Sequence, residues 1–380
     1  MSVQPLGPLS GIRVLDLSSY IAGPYAGALL ADLGAEVIKV EPPGGDALRQ
    51  YPSTLKNESR AFLGVNRSKI GIVLDLKAPG DLSSLFRLIG ESDVLLHNFR
   101  PSVPARLGID YAQLRELNPR LIYCALSGYG TTGPLRDKAG YDQVLQSMTG
   151  ICALQCEEGG EPGIAYGSVV DYHAGALLAY GISAALFHRE RTGRGQRVDL
   201  SLLAAALSMQ SARFIRTENE AADVGRDMRS GGMTGIHPTA EGSIYLSANT
   251  PHFWKSLCAL TGLAELAEDP RYDTVRKRNE LQGEIVPLFR KVLMTRPALE
   301  WESVFGASVP CAAVRSIGEM FEHPQVLAEE LVADVEHAVA GRYRGIRQPL
   351  KFSDAPGPEP FAAPALGQET SAVLGKFDKE

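Results

Sequence analysis

The chain has 380 residues, 44% of them hydrophobic and 22% charged, and carries a formal net charge of −6. That length exceeds one average domain and suffices to bury a large core without a disulfide or metal staple. An acidic balance argues against nucleic acid as a partner, because non-specific affinity for phosphate backbones rests on basic surface.

The N-terminal stretch MSVQPLGPLSG lacks the basic-then-apolar pattern of a secretory signal, and no apolar run reads as a membrane span. A cytoplasmic protein is expected. Five cysteines (Cys124, Cys152, Cys156, Cys258, Cys311) are odd in number and scattered, without zinc-finger spacing. They read as small buried hydrophobes in a reducing compartment.

Strand and helix signals alternate through the first third of the chain. Arg13 to Leu17 reads as a short buried strand, and Ala22-Gly23-Pro24 opens an Ala/Leu-rich helix stopped by Gly34. Glu36 to Val40, Ile72 to Leu76, Val94 to Asn98 and Leu121 to Leu126 repeat the strand pattern, with a helix between the second and third of these. Such alternation implies right-handed crossovers and a mainly parallel sheet.

From His173 to Glu190 the sequence is apolar nearly all round, as in a buried helix, and Val198 to Met209 forms a further apolar segment. Composition turns polar and glycine-bearing after about residue 215, which suits a linker and exposed loop. Residues 240–330 read as a smaller α+β unit, with a strand at Ser243 to Ser247 and helices near 252–262, 276–292 and 297–306. The tail from Asp354 to Pro364 is rich in proline and alanine and is expected to be extended.

Gly128-Tyr129-Gly130-Thr131-Thr132-Gly133 matches the G-x-G-x-x-G pattern of dinucleotide-binding turns and follows a strand. That motif requires a helix opening at its third glycine. The polar stretch Pro134 to Lys138 has no helical periodicity, so a glycine loop at the sheet edge is the better reading.

Asp171 stands between Ser168-Val169-Val170 and the long apolar helix, where an N-cap is expected. A nucleophile suits the same place, because free N–H groups and the helix dipole favour an ionised, oriented carboxylate. Spacing leaves both roles open. His173, two residues on, points away from Asp171 on a helix and reads as structural.

Several longer motifs occur in order: LSGIRVLDLSSYIAGPYAGALLADLGAEVIKVEPPGGD, LDLK, ESDVLLHNFRP, LNPRLIYCALSGYGTTGP, AGYD, DYHAG and RTGRGQRVDLSLLAAAL. Fainter ones follow at DPRY, VPCAAV and HPQV. Together they resemble the family III (CaiB/BaiF) CoA-transferases, which include formyl-CoA:oxalate and carnitine CoA-transferases, with α-methylacyl-CoA racemase as a relative.

The resemblance implies a large Rossmann-like α/β domain over residues 1–215, completed by 330–380, plus the smaller α+β domain at 225–325. It also implies an interlocked homodimer. The implied activity moves CoA from an acyl-CoA donor to a carboxylic acid, through an anhydride and then a thioester on Asp171. No permanently bound cofactor and no metal is implied; acyl-CoA is substrate.

Family positions in contact with CoA carry over to Tyr20, Ile21, Leu74, Lys77, Asn98, Phe99, Arg106 and Tyr141. Gly231 and Gly232 match a loop that covers the site. Ile21 stands where some members have a polar residue, and Pro42 where some have a basic one. The racemase branch has His where this chain has Tyr141, a poor proton shuttle at neutral pH. Transfer is therefore expected, with a racemase-like epimerase as the alternative.

Overall fold

In the computed structural model, the structure describes residues 7–55, 58–155, 160–219 and 233–376. They form two compact units, one spanning 1–215 with 325–380 and the other 216–324.

The large unit is built on six strands: β1 (Arg13–Asp16), β2 (Glu36–Glu41), β3 (Ile70–Val73), β4 (Val94–His97), β5 (Ile122–Ser127) and β6 (Arg197–Ser201). They lie in the order β3-β2-β1-β4-β5-β6, and every neighbouring pair is parallel. This is the doubly wound order, in which the chain reverses direction across the sheet between β1 and β4.

Helices fill the crossovers: α1 (Ala22–Asp32), α2 (Arg60–Val65), α3 (Pro79–Gly90), α4 (Val103–Leu107), α5 (Tyr111–Leu117), α6 (Asp142–Met148), α7 (Val169–Thr192) and α8 (Leu202–Ser208). Alternate residues of each strand feed opposite faces. Val14, Val37, Val94, Leu96 and Ile122 pack under α1, α7 and α8. Leu15, Ile38, Leu95 and Tyr123 pack with Leu85, Leu88 and Ile89 of α3. Burial on both faces explains why the strands read as nearly unbroken apolar runs.

Helix α7 is the one described helix long and apolar enough to cross a membrane by composition. Here it lies against α1, β5, β6 and α8, and Val170, Ala174, Leu178, Ile182 and Leu186 enter the core. The helix starts at Val169, earlier than the apolar run predicts, and the apolar segment Val198 to Met209 divides into β6 and α8 at Ser201, whose hydroxyl accepts the Ala204 N–H.

The small unit contains an antiparallel sheet of β7 (Gly235–Pro238), β8 (Ser243–Leu246) and β9 (Cys311–Ala313). Its core gathers Trp254, Phe289, Trp301 and Phe305. The expected single helix over 276–292 is two, Val275–Glu280 and Gln282–Leu293, which meet at Leu281.

Returning to the large unit, β10 (Val332–His337) and β11 (Gly341–Ile346) pair as a hairpin that the sequence reading does not include. The chain then covers the edge of β3: Gly71 N–H donates to Glu369 at 2.7 Å and Val73 N–H to the Thr370 hydroxyl at 3.0 Å. A covered edge removes a template for unwanted strand pairing.

Candidate active site

Open sheets of this topology bind ligands outside the carboxyl ends of the strands where the order reverses, here β1 and β4. The loop leaving β1 is fixed at nearly every polar atom. Ser18 N–H donates to Asp16 Oδ1 at 2.9 Å, and Ser19 N–H to Asn98 Oδ1 at 3.0 Å, while Asn98 Nδ2 returns a bond to Ser19 O at 2.8 Å. Tyr20 N–H donates to Asp46 Oδ1 at 3.2 Å. Lys39 Nζ joins Asp46 Oδ2 at 2.9 Å and also donates to Ser18 O.

These groups belong to a buried polar floor. Lys69 Nζ bonds Asp16 Oδ2 at 2.8 Å, Pro24 O at 2.7 Å and Asn66 Oδ1 at 2.9 Å. Arg49 bridges Glu41 and Glu58. Burial opposes the Asp16 charge, but Lys69 and Lys39 outweigh it and hold its carboxyl below the ordinary range. Burial pushes Lys69 down to about 8 despite Asp16. Charges this deep persist only when each finds partners, as these do.

The clamped loop holds Tyr20 at a φ of 66°. For a bulky side chain this left-handed conformation is an outlier, of the kind that surrounding structure enforces at functional sites.

Asp171 lies in the first turn of α7, the third residue after its N-cap Ser168. The N-cap expected at Asp171 is therefore corrected. Ser168 itself has φ 56° and makes no side-chain cap. Capping comes from another helix: Asp142 Oδ2, near the start of α6, accepts Val170 N–H at 2.7 Å and Asp171 N–H at 3.1 Å. Gln146 donates to Asp142 Oδ1 and to Ala165 O at 3.0 Å, and its Oε1 accepts Ala165 N–H at 2.9 Å.

Because Asp142 takes the free N–H groups, the Asp171 side chain is left without a hydrogen-bond or ion-pair partner among the described residues. Burial, and then the like charge of Asp142, push its pKa up to about 7. The helix dipole does not hold it firmly ionised, as its location had promised. It is a half-buried, unpartnered carboxyl that releases its proton near neutrality, the poise expected of a reactive group.

Gly175 explains the D-x-x-x-G spacing. A Cβ there would stand 2.7 Å from the Ala22 carbonyl oxygen and 2.9 Å from the Tyr25 ring. Glycine lets α7 cross the start of α1 closely, which brings Asp171 toward the β1 exit loop. Tyr172 then meets Tyr25 edge-on, with ring centroids 4.8 Å apart.

The other residues singled out in the sequence fall around this crevice. Tyr20 and Ile21 follow β1; Leu74 and Lys77 follow β3; Asn98 and Phe99 follow β4; Arg106 is on α4; Tyr141 precedes α6. Leu74 is buried, so it offers only main chain to a ligand. The Asn98 amide is committed to Ser19 on both of its atoms. Phe99 stacks on His97 at 5.3 Å. Lys77 and Arg106 are exposed, and neither side chain has a partner among the described residues.

His173 Nε2 meets Ser208 Oγ on α8 at 3.0 Å, away from Asp171. No helix opens after Gly133, which agrees with setting the dinucleotide reading aside. Gly231 and Gly232 lie outside the described residues, as does Cys156. Among the described residues no cluster of His, Cys, Asp or Glu is arranged to hold a metal. A separate cleft over β4, β5 and β6 is lined by His97, Phe99, Tyr123, Ser127, Thr131 and Arg197.

Asp142, Gln146, Lys39, Asp46 and Lys69 are buried polar neighbours of these residues that sequence reasoning did not single out. A lysine inside the apolar strand EVIKVE was the available signal, since a charge in a doubly buried strand demands a buried partner.

Comparison with known proteins gives the geometry its context. The family model described as CoA-transferase family III matches residues 9–370. The chain is 36% identical to the succinate–glutarate CoA-transferase of Agrobacterium fabrum, over 98% of this chain and 96% of that one. It is 34% identical to the acetyl-CoA:oxalate CoA-transferase of Acetobacter aceti, over 98% and 97%. Among solved structures, a CAIB/BAIF family protein from Brucella suis superposes with a TM-score of 0.86 at 28% identity, covering 98% of this chain and 100% of that one. These named relatives are CoA-transferases, and they do not favour the racemase alternative. The chain belongs to CoA-transferase family III and is an enzyme that moves CoA between carboxylic acids.

Proposed function

We propose that Asp171 is the acyl acceptor in this transfer. Its carboxylate attacks the donor thioester carbon, the C–S bond breaks, and a mixed anhydride and CoA thiolate result. The thiolate then attacks the aspartyl carbonyl, releasing the first acid and leaving an aspartyl-CoA thioester. The acceptor carboxylate attacks this thioester, and the same two steps in reverse deliver the new acyl-CoA. Each step exchanges one activated acyl group for another of similar energy, so atoms and electrons balance among donor, acceptor and Asp171 alone.

The observation that carries this reading is the unpartnered state of the Asp171 carboxyl beside helix N–H groups already claimed by Asp142. A structural aspartate at a helix start spends its oxygens on capping; this one keeps them for a substrate. Its raised pKa also marks a more basic, poorly solvated carboxylate, a better nucleophile once ionised. Replacing Asp171 by Asn or Ala is expected to abolish CoA exchange while leaving the fold intact; full exchange by either variant contradicts the proposal.

Acyl-CoA is assigned to the crevice at the ends of β1, β3 and β4, with contacts from Tyr20, Ile21, Leu74, Asn98 and Phe99. Lys77 and Arg106 are unpaired cations suited to CoA phosphates. Ile21 presents no polar atom from its side chain, so that wall of the acyl site is apolar. Gly231 and Gly232 are assigned to the segment that excludes water from the anhydride.

We also propose a homodimer working in the cytoplasm. Tyr172, Ala176, Tyr180, Ala184 and Phe187 form an exposed stripe at helical spacing on α7, with Tyr180 73% and Phe187 67% exposed. A long apolar stripe left open on a core helix fits burial against a second copy. Tyr180→Asp is expected to lower the molar mass measured by light scattering from dimer to monomer.

A further inference from the structure

We propose that Gln146 is a positioning residue for the transfer: its side-chain amide fixes the turn that presents Asp171, acting on that turn from both sides at once. The assignment rests on Asp171 as the acyl acceptor and adds the group that holds it in place.

Two left-handed residues stand immediately before α7: Gly167 has φ 101° and Ser168 φ 56°. Glycine adopts such a conformation freely. Serine is strained there, and Ser168 makes no side-chain cap that would offset the strain. A backbone of this kind persists only where the surrounding structure over-determines it.

That surrounding structure is α6. Upstream of the turn, Ala165 exchanges two hydrogen bonds with Gln146: its N–H donates to Oε1 at 2.9 Å, and its carbonyl oxygen accepts from Nε2 at 3.0 Å. Downstream, Asp142 Oδ2 accepts the N–H groups of Val170 and Asp171. Gln146 also donates to Asp142 Oδ1, its neighbour four residues back on the helix face. With Oδ1 held by the amide, Oδ2 faces α7. One amide thus anchors Ala165 directly and the first turn of α7 through Asp142, with only residues 166–169 between the two anchors.

The chemistry of the position demands an amide. A carboxylate there accepts from Ala165 N–H but has no donor for Asp142 or for the Ala165 carbonyl, and an aliphatic side chain bonds to none of them. Gln146 and Asp142 are both buried, so a bond lost here is not replaced by bulk water. The bond between Gln146 and Asp142 is also charge-assisted, the stronger class of hydrogen bond. Loss of the amide therefore frees the turn at Ala165 and the Asp142 carboxylate together, and the Asp171 carboxyl loses its fixed place.

The test uses the full-length enzyme carrying Gln146→Met, which keeps the length but no amide, or Gln146→Glu, which keeps only the acceptor. Each is expected to lower kcat for CoA transfer about tenfold or more and to leave KM for acyl-CoA within about threefold, because the turn carries the nucleophile and not the CoA contacts. Native-state hydrogen exchange of the wild-type enzyme gives a reading that needs no variant: the amides of Ala165, Val170 and Asp171 are expected to share one opening free energy. Should either variant fail to fold, that reading decides. A kcat within about twofold of wild type in both variants, a KM that rises as much as kcat falls, or three amides that exchange independently overturns the proposal. Acyl marking of wild-type Asp171 is scored in parallel. A marked Asp171 with unmoved kcat in the variants removes the Gln146 assignment alone, whereas transfer without any mark on Asp171 removes the reading beneath it.

Discussion

The carboxylate of Asp142 accepts the main-chain N–H of Asp171 at 3.1 Å, so the start of α7 is capped from α6 and not from its own preceding loop. One oxygen thereby does two things. It fixes the backbone that carries Asp171, and it places a negative charge near the Asp171 carboxyl.

Asp142→Asn separates these effects. Wild-type kcat/KM is expected to rise with pH through about 7, as Asp171 loses its proton and becomes nucleophilic. Removing the like charge lets Asp171 ionise earlier, so the limb moves to lower pH. The weakened cap is expected to lower the plateau rate ~tenfold. A pH–rate profile with the limb unmoved contradicts the electrostatic part.

Stability carries the opposite signature. Asp171 binds its proton up to about 7 in the folded chain, against an ordinary value of 3.8. Between those values the folded state holds more protons than the unfolded state, so stability falls as pH rises. The full effect is on the order of 4 kcal/mol. Asp171→Asn has no such proton to lose. Urea denaturation is expected to find the variant more stable than wild type at pH 8, with the gap closing by pH 4; a constant gap contradicts the raised pKa.

Gly175→Ala tests the close crossing of α7 and α1. The new methyl meets the Ala22 carbonyl oxygen, so the helices must part by several tenths of an ångström or more. Overpacking of this kind costs about 1–3 kcal/mol, and displacement of Asp171 is expected to reduce kcat more than tenfold with little change in KM. A variant with wild-type kcat shows that the crossing does not set the nucleophile.

Lys77→Ala and Arg106→Ala are expected to raise KM for acyl-CoA about tenfold each, since each charged contact is worth ~1.5–3 kcal/mol. The same variants should respond much less when a truncated acyl thioester without phosphates is the donor. Equal losses with both donors place these cations elsewhere in the mechanism.

The sheet was legible in the sequence because its strands are short, apolar and evenly spaced by helical patterns. Arg13 to Leu17 and Glu36 to Val40 announce β1 and β2 within a residue or so. The chemistry was less so. Asp171 stood out at the head of an apolar helix, but its cap sits 29 residues away at Asp142, and no periodicity links the two. Likewise no sequence pattern links Lys39 to Asp46, yet tertiary burial makes them a single ion pair beneath Tyr20. The β10–β11 hairpin escaped notice because its strands alternate polar residues with few large apolar ones.

The most direct measurement is mass spectrometry of the enzyme quenched with hydroxylamine during turnover. A stable hydroxamate on the peptide carrying Asp171, formed only when an acyl-CoA donor is present, is the result this mechanism predicts. Continued transfer of CoA from acid to acid with that peptide never modified contradicts it.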